Sequence, residues 1–252
     1  MKFTFIYCYN NETELNGLLR PSLELLRKNN EIDFNEISIE NISGRYSSAS
    51  EAYNSECRKE SEILGEILIF CHQDIAFDNA SLFKAAIKEF NEDSNQILGV
   101  AGMPKNGRTI SNLRYYLTKK YITETRVLNK SVVESLDECL IMIPRNLFEK
   151  IYFDVKTCDH WHLYVVDLCY ALRRKFGTIS YVMPQQIYHK TNGGTGLYVD
   201  YHFLKTLGKM VHKYKKDFDF IYTPCYIVKT NFIYAWMKLS KSALKNLFIH
   251  RT

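Results

Sequence analysis

Long apolar runs are missing from this chain. Nowhere do about 18 consecutive apolar residues occur, the length a membrane-crossing helix requires, so no transmembrane segment is expected. The seven cysteines are odd in number and contain no Cys-x-x-Cys pair, which suggests neither a disulfide framework nor a zinc knot. Reduced thiols in the cytoplasm are the simpler expectation. Neither a Gly-x-Gly-x-x-Gly fingerprint nor a Gly-Lys-Ser/Thr phosphate loop occurs, which argues against a dinucleotide oxidoreductase and a phosphate-loop ATPase. A large charge excess is also absent: the net charge of +5 is too small to argue for nucleic-acid binding unless the basic residues cluster on one face. The amino terminus lacks a basic region followed by an apolar stretch and a small-residue cleavage site. Met1 to Asn10 therefore reads as a first strand, not as an export signal.

What is present fits a folded, enzyme-like protein. With 252 residues, 46% hydrophobic and 14% aromatic, the chain can bury a sizeable core. Strand signals alternate with helical ones. Met1 to Tyr9 reads as a strand and Glu12 to Lys28 as a helix that Pro21 starts or kinks. Phe34 to Ile39 and Gly65 to Cys71 follow as strands, with a helix over Ala49 to Ser61 between them. Ser81 to Phe90 is a further helix and Ile97 to Ala101 a further strand. This βαβαβ order predicts an α/β sandwich with parallel strands joined by right-handed crossovers. Pro104 to Leu128 is irregular, an insertion of the kind that carries substrate specificity. Beyond it lie a strand, Leu140 to Ile143, preceded by Asp137 and Glu138, then a helix over Trp161 to Lys175 and a strand over Thr178 to Val182. The division expected is a catalytic domain over 1–196 and a helical extension over 197–252.

The segment Gly65 to Phe77 is the most informative. An apolar run breaks abruptly into His72, Gln73 and Asp74, and the carboxyl end of a buried strand is where open α/β sheets bind ligands. An ionised Asp there needs water, a cation or a hydrogen-bonding loop as partner. Asp74 as the first residue of the turn Ile75 to Asn79 is the equally plain account.

Four groups of residues carry a resemblance. They are Ser47-Ser48-Ala49-Ser50 with Asn54, Cys71-His72-Gln73-Asp74, Trp161 through Cys169, and Val182-Met183-Pro184 followed by His189. In order and spacing they resemble the family 2 glycosyltransferases, in particular a bacterial glycosyltransferase-like branch that has His-Gln-Asp in place of Asp-x-Asp. The resemblance implies the GT-A fold, a Rossmann-like sandwich with a mostly parallel central sheet, here with a C-terminal helical extension. It also implies transfer of a sugar from a nucleotide-sugar donor to a glycan or lipid-linked acceptor in bacterial surface polysaccharide synthesis.

By the same resemblance the donor lies against Glu40, Asn41, Ser48 and Asn54 and against His72, Gln73 and Asp74. A helix cap is the competing role for Ser48. The leaving diphosphate calls for Mn²⁺ or Mg²⁺, with Asp74 and His189 as ligands. His72 stands where an acid is usual, and a neutral imidazole brings no compensating negative charge.

The general base of an inverting transfer is implied between Thr157 and Asp167. Asp159 and Asp167 are the candidates, because the Glu-Asp pair of many relatives is replaced by Tyr164 and Val165. Asp167 has a structural alternative, a pairing with Arg173 or Arg174. Trp161 is suited to stack on an acceptor sugar, with His162 beside it, and a core Trp is the competing role. Gly193, Gly194 and Gly196 read as a lid or hinge.

Leu197, Tyr201, Leu204, Leu207, Val211 and Tyr214 form the apolar face of an amphipathic helix carrying Lys205, Lys209, Lys213 and Lys216. A second such segment combines Phe232, Ile233, Trp236, Met237, Leu244 and Leu247 with Lys238, Lys241 and Lys245. These faces suit either peripheral contact with the inner face of the cytoplasmic membrane or packing on the protein itself or a second subunit. Two further functional classes stay open, a catalytically inactive sugar-nucleotide-binding module and a metal-dependent hydrolase.

Overall fold

The computed structural model describes residues 1–190 and 201–231. The elements in its first half are strand β1 (Phe3–Tyr9), helices α1 (Glu12–Gly17) and α2 (Leu19–Asn29), β2 (Phe34–Glu40), α3 (Ala49–Lys59), β3 (Ile67–Cys71), β4 (Ile75–Ala76), α4 (Ser81–Glu92) and β5 (Gln96–Gly99). Then come four short strands of the insertion and its border, β6 (Ala101–Met103), β7 (Ile110–Ser111), β8 (Arg114–Tyr115) and β9 (Ser131–Val133). The rest is β10 (Ser135–Leu136), β11 (Leu140–Pro144), α5 (Arg145–Phe148), α6 (Tyr164–Phe176), β12 (Ile179–Val182), β13 (Tyr188–His189), α7 (Tyr201–Tyr214), β14 (Phe220–Tyr222) and β15 (Ile227–Lys229).

Seven strands form the central sheet in the order β2-β1-β3-β11-β5-β12-β9. β2, β1 and β3 run parallel, as do β5 and β12, whereas β11 is antiparallel to both of its neighbours. The parallel strands follow from long helical crossovers, and their continuous apolar sequences from burial on both faces. β3 illustrates this, for all five residues of Ile67–Cys71 are buried.

Two apolar layers sandwich the sheet. On one face α3 and α6 cover Ile6, Phe70 and Ile141, and on the other α2 and α4 cover Phe3, Phe5 and Leu98. Phe70 is fully buried, with the rings of Tyr53, Phe148 and Phe153 about it at 4.9 to 5.1 Å between centroids. Truncation of such a ring to Ala costs about 3–5 kcal/mol. Gly65 lets β3 enter beside β1, since a Cβ there would stand 2.3 Å from the Lys2 carbonyl oxygen.

Some expectations change. The helix expected over Glu12 to Lys28 is two helices, broken at Leu18, and Pro21 sits in the first turn of α2, where its missing N–H costs little. The helix expected from Trp161 starts only at Tyr164, because Leu163 takes a left-handed conformation at φ +66°. Trp161 and His162 consequently belong to a loop. The irregular insertion contains the short strands β7 and β8, too short to show a period in the sequence.

The described part of the tail packs back on the protein. Leu204, Leu207, Val211 and Tyr214 of α7 join Val166 and Tyr170 of α6 in a third apolar cluster. The lysines of α7 also face protein: Lys213 bonds both oxygens of Asp167 at 2.8 Å, and Lys205 and Lys209 pair with Asp159 at 3.1 and 2.7 Å. Leu197, the glycines of 193–196 and the second amphipathic segment, Phe232 to Leu247, lie outside the described residues. Among the described residues no helix is long and apolar enough to cross a membrane.

Candidate active site

The site forms where β1 and β3 end. Tyr7 and Cys71 are register partners, so the residues that follow, Cys8 to Asn10 and His72 to Asp74, emerge side by side at the carboxyl edge of the sheet. Gln73 joins the two ends. Its Oε1 accepts from the backbone N–H groups of Asn10 and Asn11, both at 3.0 Å, and its Nε2 donates to Asn10 Oδ1 at 2.8 Å. The reversal of β11 has a consequence here. Leu140 pairs with Cys71, so the segment leading into β11 arrives at the same edge, and the Cys139 carbonyl accepts from the His72 N–H at 3.0 Å. Glu138 thereby enters the site.

His189 comes from far along the chain. β13 pairs antiparallel with β4, setting His189 opposite Ile75, and the Lys190 N–H donates to the Asp74 carbonyl at 2.9 Å. The side chains converge: Asp74 Oδ1 lies 3.3 Å from His189 Nε2 and 3.8 Å from His72 Nδ1. The three ligand atoms lie within 4.8 Å of one another. Burial and the neighbouring His189 push His72 below its ordinary pKa, opposed by Asp74 and Asp137. For His189, burial also favours the neutral ring, but the Asp74 hydrogen bond and charge outweigh it and raise its pKa. The Asp74 carboxyl is held low, burial opposing and His189 and His72 prevailing. An anionic oxygen between two imidazoles is a donor set suited to a divalent cation.

A cleft of about 400 Å³ opens at this edge. Of the expected site residues, Asn41, His72, Gln73, Asp74, Trp161 and His162 line it. Trp161 is 36% exposed, so it is not a core ring. The Asn41 side chain also braces the backbone of Tyr46, at 3.1 and 2.7 Å.

Other expected residues stand elsewhere. Glu40 is exposed at the end of β2. Ser48 caps α3, accepting from the Glu51 N–H at 3.1 Å. Asn54 is buried and clamps Phe153 through the backbone N–H and carbonyl, at 3.1 and 2.8 Å. Asp159 is engaged by Lys205 and Lys209. Asp167 pairs with Lys213, not with the arginines considered from sequence, and Tyr214 donates to it at 2.9 Å. None of these five residues lines the cleft.

Sequence reasoning overlooked Tyr9, Asn10, Tyr53, Glu138 and Tyr164, which do line it. For Tyr9 and Asn10 the signal was available, since they end the first strand as His72 and Asp74 follow the third. Glu138 gave none, because only the reversed direction of β11 brings it there.

The comparisons agree with this architecture. The mannosyltransferase PcManGT from Pyrobaculum calidifontis, solved with GDP-Man and Mn²⁺, superposes with a TM-score of 0.54 at 10% identity, over 94% of this chain and 69% of its own. GalNAc-T7, solved with UDP, GalNAc and Mn²⁺, superposes with a TM-score of 0.54 at 10% identity, over 83% of this chain. This chain spans 47% of GalNAc-T7. Both are GT-A glycosyltransferases, and the fold of this protein is theirs. No curated protein matches the sequence. Residues 4–191 match the profile of the glycosyltransferase-like family, a span that runs from within β1 to the end of β13 and includes every residue lining the cleft, and the chain therefore belongs to that family.

Proposed function

We propose that the protein transfers a sugar from a nucleotide-sugar donor to a hydroxyl of a glycan or lipid-linked acceptor, in surface polysaccharide assembly at the inner face of the cytoplasmic membrane. The observation that carries the reading is the convergence of His72, Asp74 and His189 at the sheet edge, beside the cleft. In this reading these three residues hold Mn²⁺ or Mg²⁺. The cation, when bound, supplies positive charge to the diphosphate leaving group. The two structural neighbours, solved with Mn²⁺ and with UDP and GalNAc or GDP-Man, support both the cation and the donor class.

The remaining lining divides by position. Tyr9 ends the first strand, Asn10 and Asn41 follow the first and second, and in this reading the three meet the nucleoside of the donor. Gln73 holds the first and third strand ends together and so keeps that subsite in register with the cation ligands. Trp161 and His162 line the loop side, where an indole face suits an acceptor sugar.

One observation favours a second reading, a binding module without turnover: the acids expected as the base, Asp159 and Asp167, stand away from the cleft. A single experiment separates the two. The protein is incubated with UDP-, GDP-, dTDP- and CMP-sugars and Mn²⁺, and both nucleotide release and melting temperature are followed. Release of nucleotide from one donor supports the transferase. Stabilisation without release supports the module, and neither effect with any donor removes both readings.

A further inference from the structure

The resemblance places an acid pair in the first turn of α6, where this chain has Tyr164 and Val165. Val165 is fully buried, and Tyr164 is the one residue of α6 that lines the cleft among those described. A carboxylate reaches the same place from another element. Glu138, just ahead of β11, lies beside the backbone N–H groups of Leu163 and Tyr164, the residues that open α6, and these favour its ionised form. Leu163 holds its left-handed conformation at this junction, a conformation costing about 1–2 kcal/mol for a residue with a side chain.

Glu138 is otherwise poorly served. Its Oε1 has no hydrogen-bond partner among the described residues and is closed to solvent, yet the residue as a whole is half-buried and lines the cleft together with Asp74, Trp161 and His162. Leaving a buried acceptor without a donor costs about 1–3 kcal/mol. A hydroxyl entering the cleft meets a carboxylate that is still short of a partner.

We infer that Glu138 is the general base of the transfer, the carboxylate that replaces from the approach to β11 the acid missing from α6. The inference rests on the transferase reading above. In the step, the acceptor O–H proton moves to the Glu138 carboxylate as the acceptor oxygen forms its bond to the anomeric carbon. The bond from that carbon to the diphosphate oxygen breaks, and its electron pair leaves with the nucleotide diphosphate. Burial above all, then the charge of Asp137, holds the Glu138 carboxyl well above the ordinary range against the two backbone donors, which strengthens it as a proton acceptor.

The test uses water as the acceptor, since donor hydrolysis needs the same proton removed. Nucleotide release is measured with Mn²⁺ and the sugar nucleotide that the wild type turns over, for wild type, Glu138→Gln and Glu138→Ala. Gln keeps a carbonyl oxygen for the Leu163 and Tyr164 donors and so preserves the start of α6. The expected result for Glu138→Gln is a loss of about 10²-fold or more in turnover, with an unchanged melting temperature and a Mn²⁺-dependent nucleotide affinity within about twofold of wild type. Sodium formate should restore part of the turnover of Glu138→Ala. Wild-type turnover in Glu138→Gln overturns the assignment while leaving the transferase intact. A loss of turnover that merely tracks lost stability or nucleotide affinity, without formate rescue, also overturns it and makes Glu138 a cap of α6. Absence of release by the wild type from every sugar nucleotide overturns the transferase reading itself, and this role with it.

Discussion

Asp74 and His189 meet at 3.3 Å, Oδ1 to Nε2, although one follows β3 and the other belongs to β13, far along the chain. The short pairing of β4 with β13 brings them together, and the Asp74 carbonyl then receives the Lys190 N–H. Backbone and side chains thus fix the same junction. If the cation of the proposed reading binds here, the Asp74 oxygen is pre-organised for it, with little left to rearrange.

The first prediction concerns that pair. Asp74→Asn removes the anionic ligand but keeps its size, so Mn²⁺-dependent affinity for the nucleotide should fall by about tenfold or more, the scale of losing a charged metal or hydrogen-bond partner. Affinity measured in EDTA should not change. His189→Ala should do the same by a smaller factor. Isothermal titration with and without Mn²⁺ checks both, and equal losses in the two conditions would count against a cation ligand.

The second prediction separates Gln73 from its neighbours in the His-Gln-Asp triplet. Its amide already makes three hydrogen bonds to Asn10 and Asn11, so its contribution is to hold β1 against β3. Gln73→Ala should lower stability by about 1–3 kcal/mol, given the usual net value of such bonds. Nucleotide affinity should weaken in EDTA and in Mn²⁺ alike, because Asn10 loses its brace irrespective of the cation. A defect confined to Mn²⁺ would refute this division.

Much of the fold was legible because it rests on local pattern. The apolar runs of β1, β3 and β11 announce strands buried on both faces, and the abrupt polar triplet after Cys71 marks the ligand edge. What was not legible depends on pairing across long distances. Nothing near Leu140 shows that β11 runs opposite to β3, and that reversal delivers Glu138 to the cleft. Asp167 shows the same limit. Its neighbours in sequence offer Arg173 and Arg174, but the fold gives it Lys213 from α7 and turns Arg173 to Glu134 and Arg174 to Asp217. Asn54 is similar, for a buried amide reads as a binding residue until Phe153 is seen to occupy both of its ends.

The third prediction follows from Asn54. Asn54→Ala leaves the Phe153 N–H and carbonyl without partners, and burial makes each loss costly, about 1–3 kcal/mol. Thermal or urea unfolding should show a large destabilisation. Nucleotide affinity at a temperature where the variant is folded should stay within about twofold of wild type, because Asn54 does not line the cleft. Weakened binding in the folded variant would restore Asn54 to the donor site.

The last prediction concerns pH and the seam between α7 and residues 154–167. Asp154 and Asp159 are both held below the ordinary value of 3.8. Burial works against this, but Lys213 and Thr157 prevail at Asp154, and Lys209 and Lys205 prevail at Asp159, whose pKa falls to about 2. A depressed folded pKa means stability that is present above the unfolded value and lost as pH falls through the folded one. Both carboxylates are 35% exposed, so each contributes modestly, and acid should loosen α7 gradually below about pH 4. Asp167 has the opposite sign. Burial raises its pKa despite Lys213 and Tyr214, so its folded form takes up a proton before the unfolded one. Lys213→Met removes the counter-charge and leaves a buried carboxylate, a loss of about 3–5 kcal/mol at neutral pH. Because that carboxylate is relieved by protonation, the variant should regain more stability than the wild type as pH falls from 7 towards 5. Melting temperatures across pH 7 to 2 for the two proteins decide the matter, since parallel curves would show that the Lys213 and Asp167 pair does not hold α7 in place.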